Sequence, residues 1–183
     1  MDRASLSAQV PDFVAIAESN IADDVRVREM LVAGTITTTP GSGLAALPTD
    51  FLEFADVSLN GLPLEYATSD RFRDNAQRWI GVPAEYYGIE GENLLVGVNS
   101  VAQTFNVTYY KRIPALAVQP TNFLLTKYPQ IYLYGALSQA ALFMVDDPRA
   151  ATWAAIYQQA VDKANGSSRK AVSSGSPLRI RPR

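Results

Sequence analysis

The sequence predicts an α+β fold: a helical bundle formed by the N- and C-terminal segments, an antiparallel β module inserted between them, and an extended C-terminal tail. Three observations predict it. Apolar residues recur at three and four spacing near both ends of the chain, as in amphipathic helices. Between residues 25 and 114 the pattern changes to period-two runs, β-branched clusters and turn residues. The stretch 166–183 has no acid and few large apolar side chains, so alone it cannot offset its own ordering entropy. The expected organisation is a single domain over 1–165, helical at 5–24 and 120–165 with the β insertion at 25–114, and a basic arm at 166–183.

The first helix rests on Val10, Phe13, Val14, Ala17 and Ile21, which form one stripe. Ser5 or Ser7 can cap it, and Pro11, read as a first-turn proline, places its start near Val10. Arg28 to Thr39 ends in TITTT and reads as a strand. Residues 40–43, Pro-Gly-Ser-Gly, read as a loop. Asn60-Gly61 lies between two extended runs, Glu53–Leu59 and Leu62–Ala67, and predicts a hairpin because both central turn positions need positive φ. Ser69 to Arg78 reads as a short polar helix. Tyr86–Ile89 and Leu94–Val98 flank a turn at 90–93. From Phe105 to Ile113 the residues alternate, with Phe105, Val107 and Tyr109 on one face.

The C-terminal helices follow. Thr121 or Asn122 can cap a short helix, FLLTKY, which Pro129 ends. Residues 130–145, QIYLYGALSQAALFMV, are apolar nearly all round, so this helix is expected to be buried on most sides. Asp147-Pro148 opens a last helix with Trp153, Ile156, Tyr157, Ala160, Val161 and Ala164 as its stripe, and Asn165-Gly166 is its expected stop.

Composition excludes much chemistry. The chain has no cysteine and no histidine, which removes disulfides, zinc–thiolate sites, Ser-His-Asp triads and Cys-His pairs together. Gly41-Ser42-Gly43 lacks the Lys-Ser/Thr ending of a phosphate loop. Asp23-Asp24 and Asp146-Asp147 lack calcium-loop spacing. No catalytic, cofactor-binding or metal-binding residue is nominated. Tyr86, Tyr87, Tyr109, Tyr110, Tyr132, Tyr134 and Tyr157 are read as packing and contact residues rather than base-stacking platforms, because their surroundings are acidic. No signal peptide or membrane-length apolar run is evident, so a soluble protein is expected.

Charge is unevenly spread. The tail holds five cations, Arg169, Lys170, Arg179, Arg181 and Arg183, which leaves residues 1–165 eleven cations against eighteen acids, a net −7. A basic arm on an acidic body is expected to work by contact with an acidic surface. Leu178, Arg179, Ile180 and Arg181 alternate apolar and basic, a pattern suited to adding as an edge strand to a partner sheet.

Several phrases resemble the head-to-tail adaptor (connector) proteins of tailed bacteriophages, of the short-tailed-phage type that binds below the portal. They are LPTDFLEFADVSLNGLPLEYAT at 47–68, FNVTYYKRIPAL at 105–116, TNFLLTKYPQIYLYGALSQAALFMVDDPRAATWAAIYQQAV at 121–161, and the basic tail. The resemblance implies a structural virion protein of the neck, not an enzyme, assembled in the host cytoplasm. It implies a ring of copies of this chain, dodecameric to match the portal, with helical bundles side by side around a channel that DNA passes without specific binding. It implies the portal protein, the tail nozzle or tube protein and a tail fibre protein as partners, with roles in tail assembly and genome ejection. Leu178, Arg179, Ile180, Arg181 and Arg183 are then the expected portal-binding residues. Two other functional classes compete: a virion-associated glycan hydrolase using paired carboxylates, and a nucleic-acid-binding module with the tail on phosphates.

Overall fold

In a computed structural model that describes residues 3–74, 84–144 and 149–173, the chain divides into two units. The helical unit comprises Met1–Glu29 and Ile113–Arg183, and the β unit comprises Met30–Arg112. The described elements are mixed: five α-helices and two four-stranded sheets.

The β unit contains β1 (Leu31–Thr37), β2 (Leu44–Ala46), β3 (Phe51–Leu59), β4 (Leu62–Pro63), β5 (Glu65–Tyr66), β6 (Tyr86–Glu90), β7 (Asn93–Leu95) and β8 (Thr104–Lys111). One sheet has the order β1-β8-β3-β4 and the other β2-β7-β6-β5. β8 lies between β1 and β3, and it alternates as its sequence predicts, with Phe105, Val107 and Tyr109 buried. Those side chains share one core with Ile36, Val57 and Leu59 of the same sheet, Ala45 and Leu94 of the other, and Val96 just past β7.

The hairpin forms at the predicted dipeptide. Asn60 and Gly61 take φ of 52° and 81°, and Leu59 faces Leu62 across the turn. The second hairpin strand is shorter than its sequence suggests. At Leu64 the chain leaves the first sheet, and β5 joins the second by pairing parallel to β6. The β module is thus not wholly antiparallel. A parallel pair needs a crossover, and the stretch between β5 and β6, which holds α2 (Ser69–Asp74), supplies it. The predicted helix over 69–78 is seen to Asp74, and its remainder lies outside the described residues. β2 was not legible in the sequence: three residues, two of them alanine, carry little strand signal. Its approach depends on Gly43, whose carbonyl accepts the Val96 N–H at 2.8 Å. A Cβ at Gly43 would lie 2.4 Å from the Val96 carbonyl oxygen.

The helical unit contains α1 (Arg3–Asp24), α3 (Phe123–Lys127), α4 (Pro129–Phe143) and α5 (Ala150–Ser173). α1 begins well before Val10, and Pro11 is interior. The turn before this proline is exposed at Ser7 and Ala8, so the carbonyl it deprives of a partner can meet water. Phe13, Ala17 and Ile21 of the predicted stripe are buried. Asn122 caps α3, its side-chain oxygen accepting the Leu125 N–H at 2.8 Å. α4 contacts both α1 and α5. Gly135 sets the approach, because a Cβ there would lie 3.2 Å from the Ala17 Cβ and 3.4 Å from the Tyr157 ring.

α5 departs furthest from expectation. It does not stop at Asn165-Gly166 but continues to Ser173, so residues 166–173 are helical rather than extended. Tertiary hydrogen bonds override the local stop signal. Asn165 Oδ1 accepts the Arg26 N–H at 2.9 Å, its Nδ2 donates to the Asp24 carbonyl at 2.9 Å, and Ser168 Oγ accepts the Arg28 N–H at 2.7 Å. The Asp147-Pro148 start and residues 174–183 lie outside the described residues.

Candidate functional site

α4 carries no charged residue, and this has a visible result. Ile131, Tyr132, Gly135, Ser138 and Ala141 are buried, but Leu133 is 55% exposed. The expectation that this helix is covered on most sides therefore fails along the Leu133 face, and Leu142 near its C-terminal end is exposed as well. Along that face Leu133, Ala136, Leu137 and Ala140 follow helical spacing and meet Val10 and Val14 of α1 across a groove of about 500 Å³. No charged side chain lines it. Phe13 and Tyr132 also line it, and the Phe13 ring packs 5.5 Å from that of Phe143. Tyr132 has its polar end satisfied by Asn122 Nδ2 at 2.8 Å, so the groove presents the apolar body of the ring. Burial, with a smaller push from the charge of Glu18, raises the Tyr132 phenol above its ordinary value, outweighing the Asn122 bond that lowers it. At neutral pH this phenol holds its proton.

The β unit has a groove of different chemistry. About 790 Å³ lies between the Ala46–Leu52 segment and the turn at 91–93, with Glu92, Asn93, Thr49 and Arg112 among its walls. Asp50 braces this region, accepting the Tyr109 hydroxyl at 3.0 Å and, through its carbonyl, the Arg112 N–H at 2.6 Å. The tyrosines that sequence reading assigns to packing do pack: Tyr87 meets Phe54 edge-on at 5.5 Å and Tyr66 at 5.6 Å. Arg71 lies 4.2 Å over the Tyr86 ring.

Two further polar contacts tie elements of the helical unit together. Tyr157 O–H donates to Asp24 Oδ2 at 2.9 Å, and burial, then that bond and the charges of Asp24 and Asp23, raise its pKa strongly. Glu29 is held below the usual carboxylate range chiefly by its hydrogen bond from Lys127. Among the described residues no group of three or more His, Cys, Asp or Glu side chains could hold a metal. No described helix is long and apolar enough to cross a membrane.

The residues expected to bind the portal, Leu178, Arg179, Ile180, Arg181 and Arg183, lie outside the described residues. Sequence reading did not find the groove, although its signal was present: a helix without charge, whose apolar positions outnumber those one neighbour can cover on each side.

Comparison with known proteins adds one finding. No curated protein matches the chain. The family model described as SU10 adaptor protein matches residues 1–181. That span takes in both units and the phrases that resemble phage adaptors, and so the chain belongs to the SU10 adaptor protein family, structural proteins of the phage virion that associate with other head and tail proteins.

Proposed function

We propose that this chain forms the head-to-tail adaptor ring of a short-tailed phage, joining the portal to the tail tube or nozzle and lining the channel through which DNA passes. The observation that carries this reading is the uncharged groove between α1 and α4. An apolar face of this kind gains by leaving water, and a second copy of the chain supplies the cover. In a ring each interface is heterologous, so the groove of one copy receives a different face of the next. Closing the circle covers every groove, with the helical segments of successive copies side by side as one bundle.

The basic arm then reaches the portal through Leu178, Arg179, Ile180, Arg181 and Arg183. The acidic balance of residues 1–165 supports a channel that repels DNA and lets it slide. Assembly takes place in the host cytoplasm.

Leu133→Asp tests the groove. It places a charge on the groove wall without touching the buried side of α4. Native mass spectrometry is expected to show the ring for the unaltered protein and monomer for the variant. Leu62→Asp, at a side chain 71% exposed in the hairpin, serves as control and leaves the ring intact. Rings of unchanged stability in Leu133→Asp would refute this role for the groove. Removal of residues 174–183, which spares Ala150–Ser173, is expected to abolish portal binding while leaving the ring.

A further inference from the structure

Asn165, Gly166, Ser167 and Ser168 are four consecutive poor helix formers, yet α5 passes through them. What holds them is bonded to a stretch equally irregular. Residues 25–27 are neither helix nor strand, and 28–30 form a single 3₁₀ turn. The N–H groups of Arg26 and Arg28 find their acceptors in Asn165 and Ser168, which face them only when they stand one helical turn apart. Asn165 also returns a hydrogen bond to the Asp24 carbonyl at the end of α1. Each segment thus supplies the partners that the other lacks. Within the 3₁₀ turn lies Glu29, the last residue before the β unit. The return crossing is held otherwise: the Leu116 N–H donates to Glu18 Oε1 at 2.6 Å, from well inside α1.

We propose that residues 165–171 of α5 and the backbone N–H groups of Arg26 and Arg28 form one cooperative latch, bonded and helical or frayed and open together, with Val25 and Val27 remaining in the core. The latch makes the point at which the chain passes into the β unit respond to the state of the basic C-terminal stretch. A sequence that disfavours its own helix and is held in it by tertiary bonds is the bistable element such coupling needs. The stretch follows directly after α5, so a partner that fixes it removes freedom that fraying would release, and closes the latch. This second clause rests on the arm binding a partner, as proposed above; the latch itself does not.

Gly166 gives the test, because nothing lies within 4 Å of a Cβ built there and its φ is not left-handed. An alanine at this position therefore changes helix preference alone. Hydrogen exchange at the Arg26 and Arg28 amides, measured in the full chain, reads the latch. Gly166→Ala is expected to slow both amides about fivefold, the equivalent of its helix preference of about 1 kcal/mol. Gly166→Pro is expected to speed both at least tenfold, while the Ser138 amide in α4 stays protected and shows that the helical unit is still folded. Exchange at Arg26 and Arg28 that ignores both substitutions overturns the latch. For the coupling, portal protein is added and residues 178–183 are followed in the same experiment. If they become protected and the Arg26 and Arg28 amides slow at least threefold, the coupling holds. If they become protected and those amides do not change, the coupling is wrong. If they stay unprotected, the portal reading fails, and the Gly166 pair still decides the latch.

Discussion

The two units bury their apolar residues differently. In the β unit the largest ones close on one another: Phe105 and Leu94 are fully buried, and both sheets contribute to one core. Its exposed apolar residues, such as Leu62 at the hairpin and Val101 in a loop, stand at turns and strand ends. In the helical unit the apolar residues outrun the available cover: Val10 and Leu133 line the groove, and Ile16, Val118 and Leu142 stand exposed outside it. One unit is complete as a folded object, and the other has the surface of an assembly part.

That contrast can be broken by substitution. The largest effect is expected at Phe105→Ala, about 3–5 kcal/mol of stability lost by chemical denaturation, because the side chain is fully enclosed. Retention of wild-type stability would mean that the β core is not the closed one described. Next comes Gly135→Val, where added methyl groups meet Ala17 and the Tyr157 ring. Overpacking there is expected to cost about 1–3 kcal/mol and to reduce the α-helical circular dichroism signal at elevated temperature.

Tyr157→Phe is expected to cost about 1 kcal/mol at neutral pH, since it removes the hydrogen bond to Asp24. Its pH profile is more informative. The folded state raises the Tyr157 pKa above the ordinary 10.0, so this contribution is complete below pH 10 and is lost as pH rises beyond it. The phenylalanine variant should therefore lose less stability than the parent between neutral pH and the alkaline range, measured by urea denaturation at a series of pH values. Equal alkaline losses in the two proteins would remove Tyr157 as the cause. The smallest stability change belongs to Leu133→Asp, within about 0.5 kcal/mol for the isolated chain, because its side chain is already half in water. A large loss in the monomer would show that the groove wall belongs to the internal core, and the contrast between the units would fall.

Much of the fold could be read from the residues, and the misses have physical causes. β8, the Asn60-Gly61 turn, the Asn122 cap and the stripe of Phe13, Ala17 and Ile21 all follow rules that act within a few residues. β2 escaped because its pairing depends on a close backbone approach at Gly43, not on its own side chains. The course of α5 past Asn165 escaped because its acceptors serve N–H groups about 140 positions away in sequence. The groove was half legible. The excess of apolar residues on α4 could be counted, but which of them stay uncovered depends on where α1 and α5 lie against it.

Leu31, the first residue of β1, stands directly across from Tyr110, the penultimate residue of β8. The β unit thus begins and ends on neighbouring strands, about 5 Å apart. A segment with adjoining ends can be removed or exchanged like a cassette, because a short linker closes the gap it leaves. The same helical scaffold can then carry inserts of other shapes and lengths. Where members of the family differ in shape, variation is expected to collect between residues 30 and 112, leaving the scaffold unchanged.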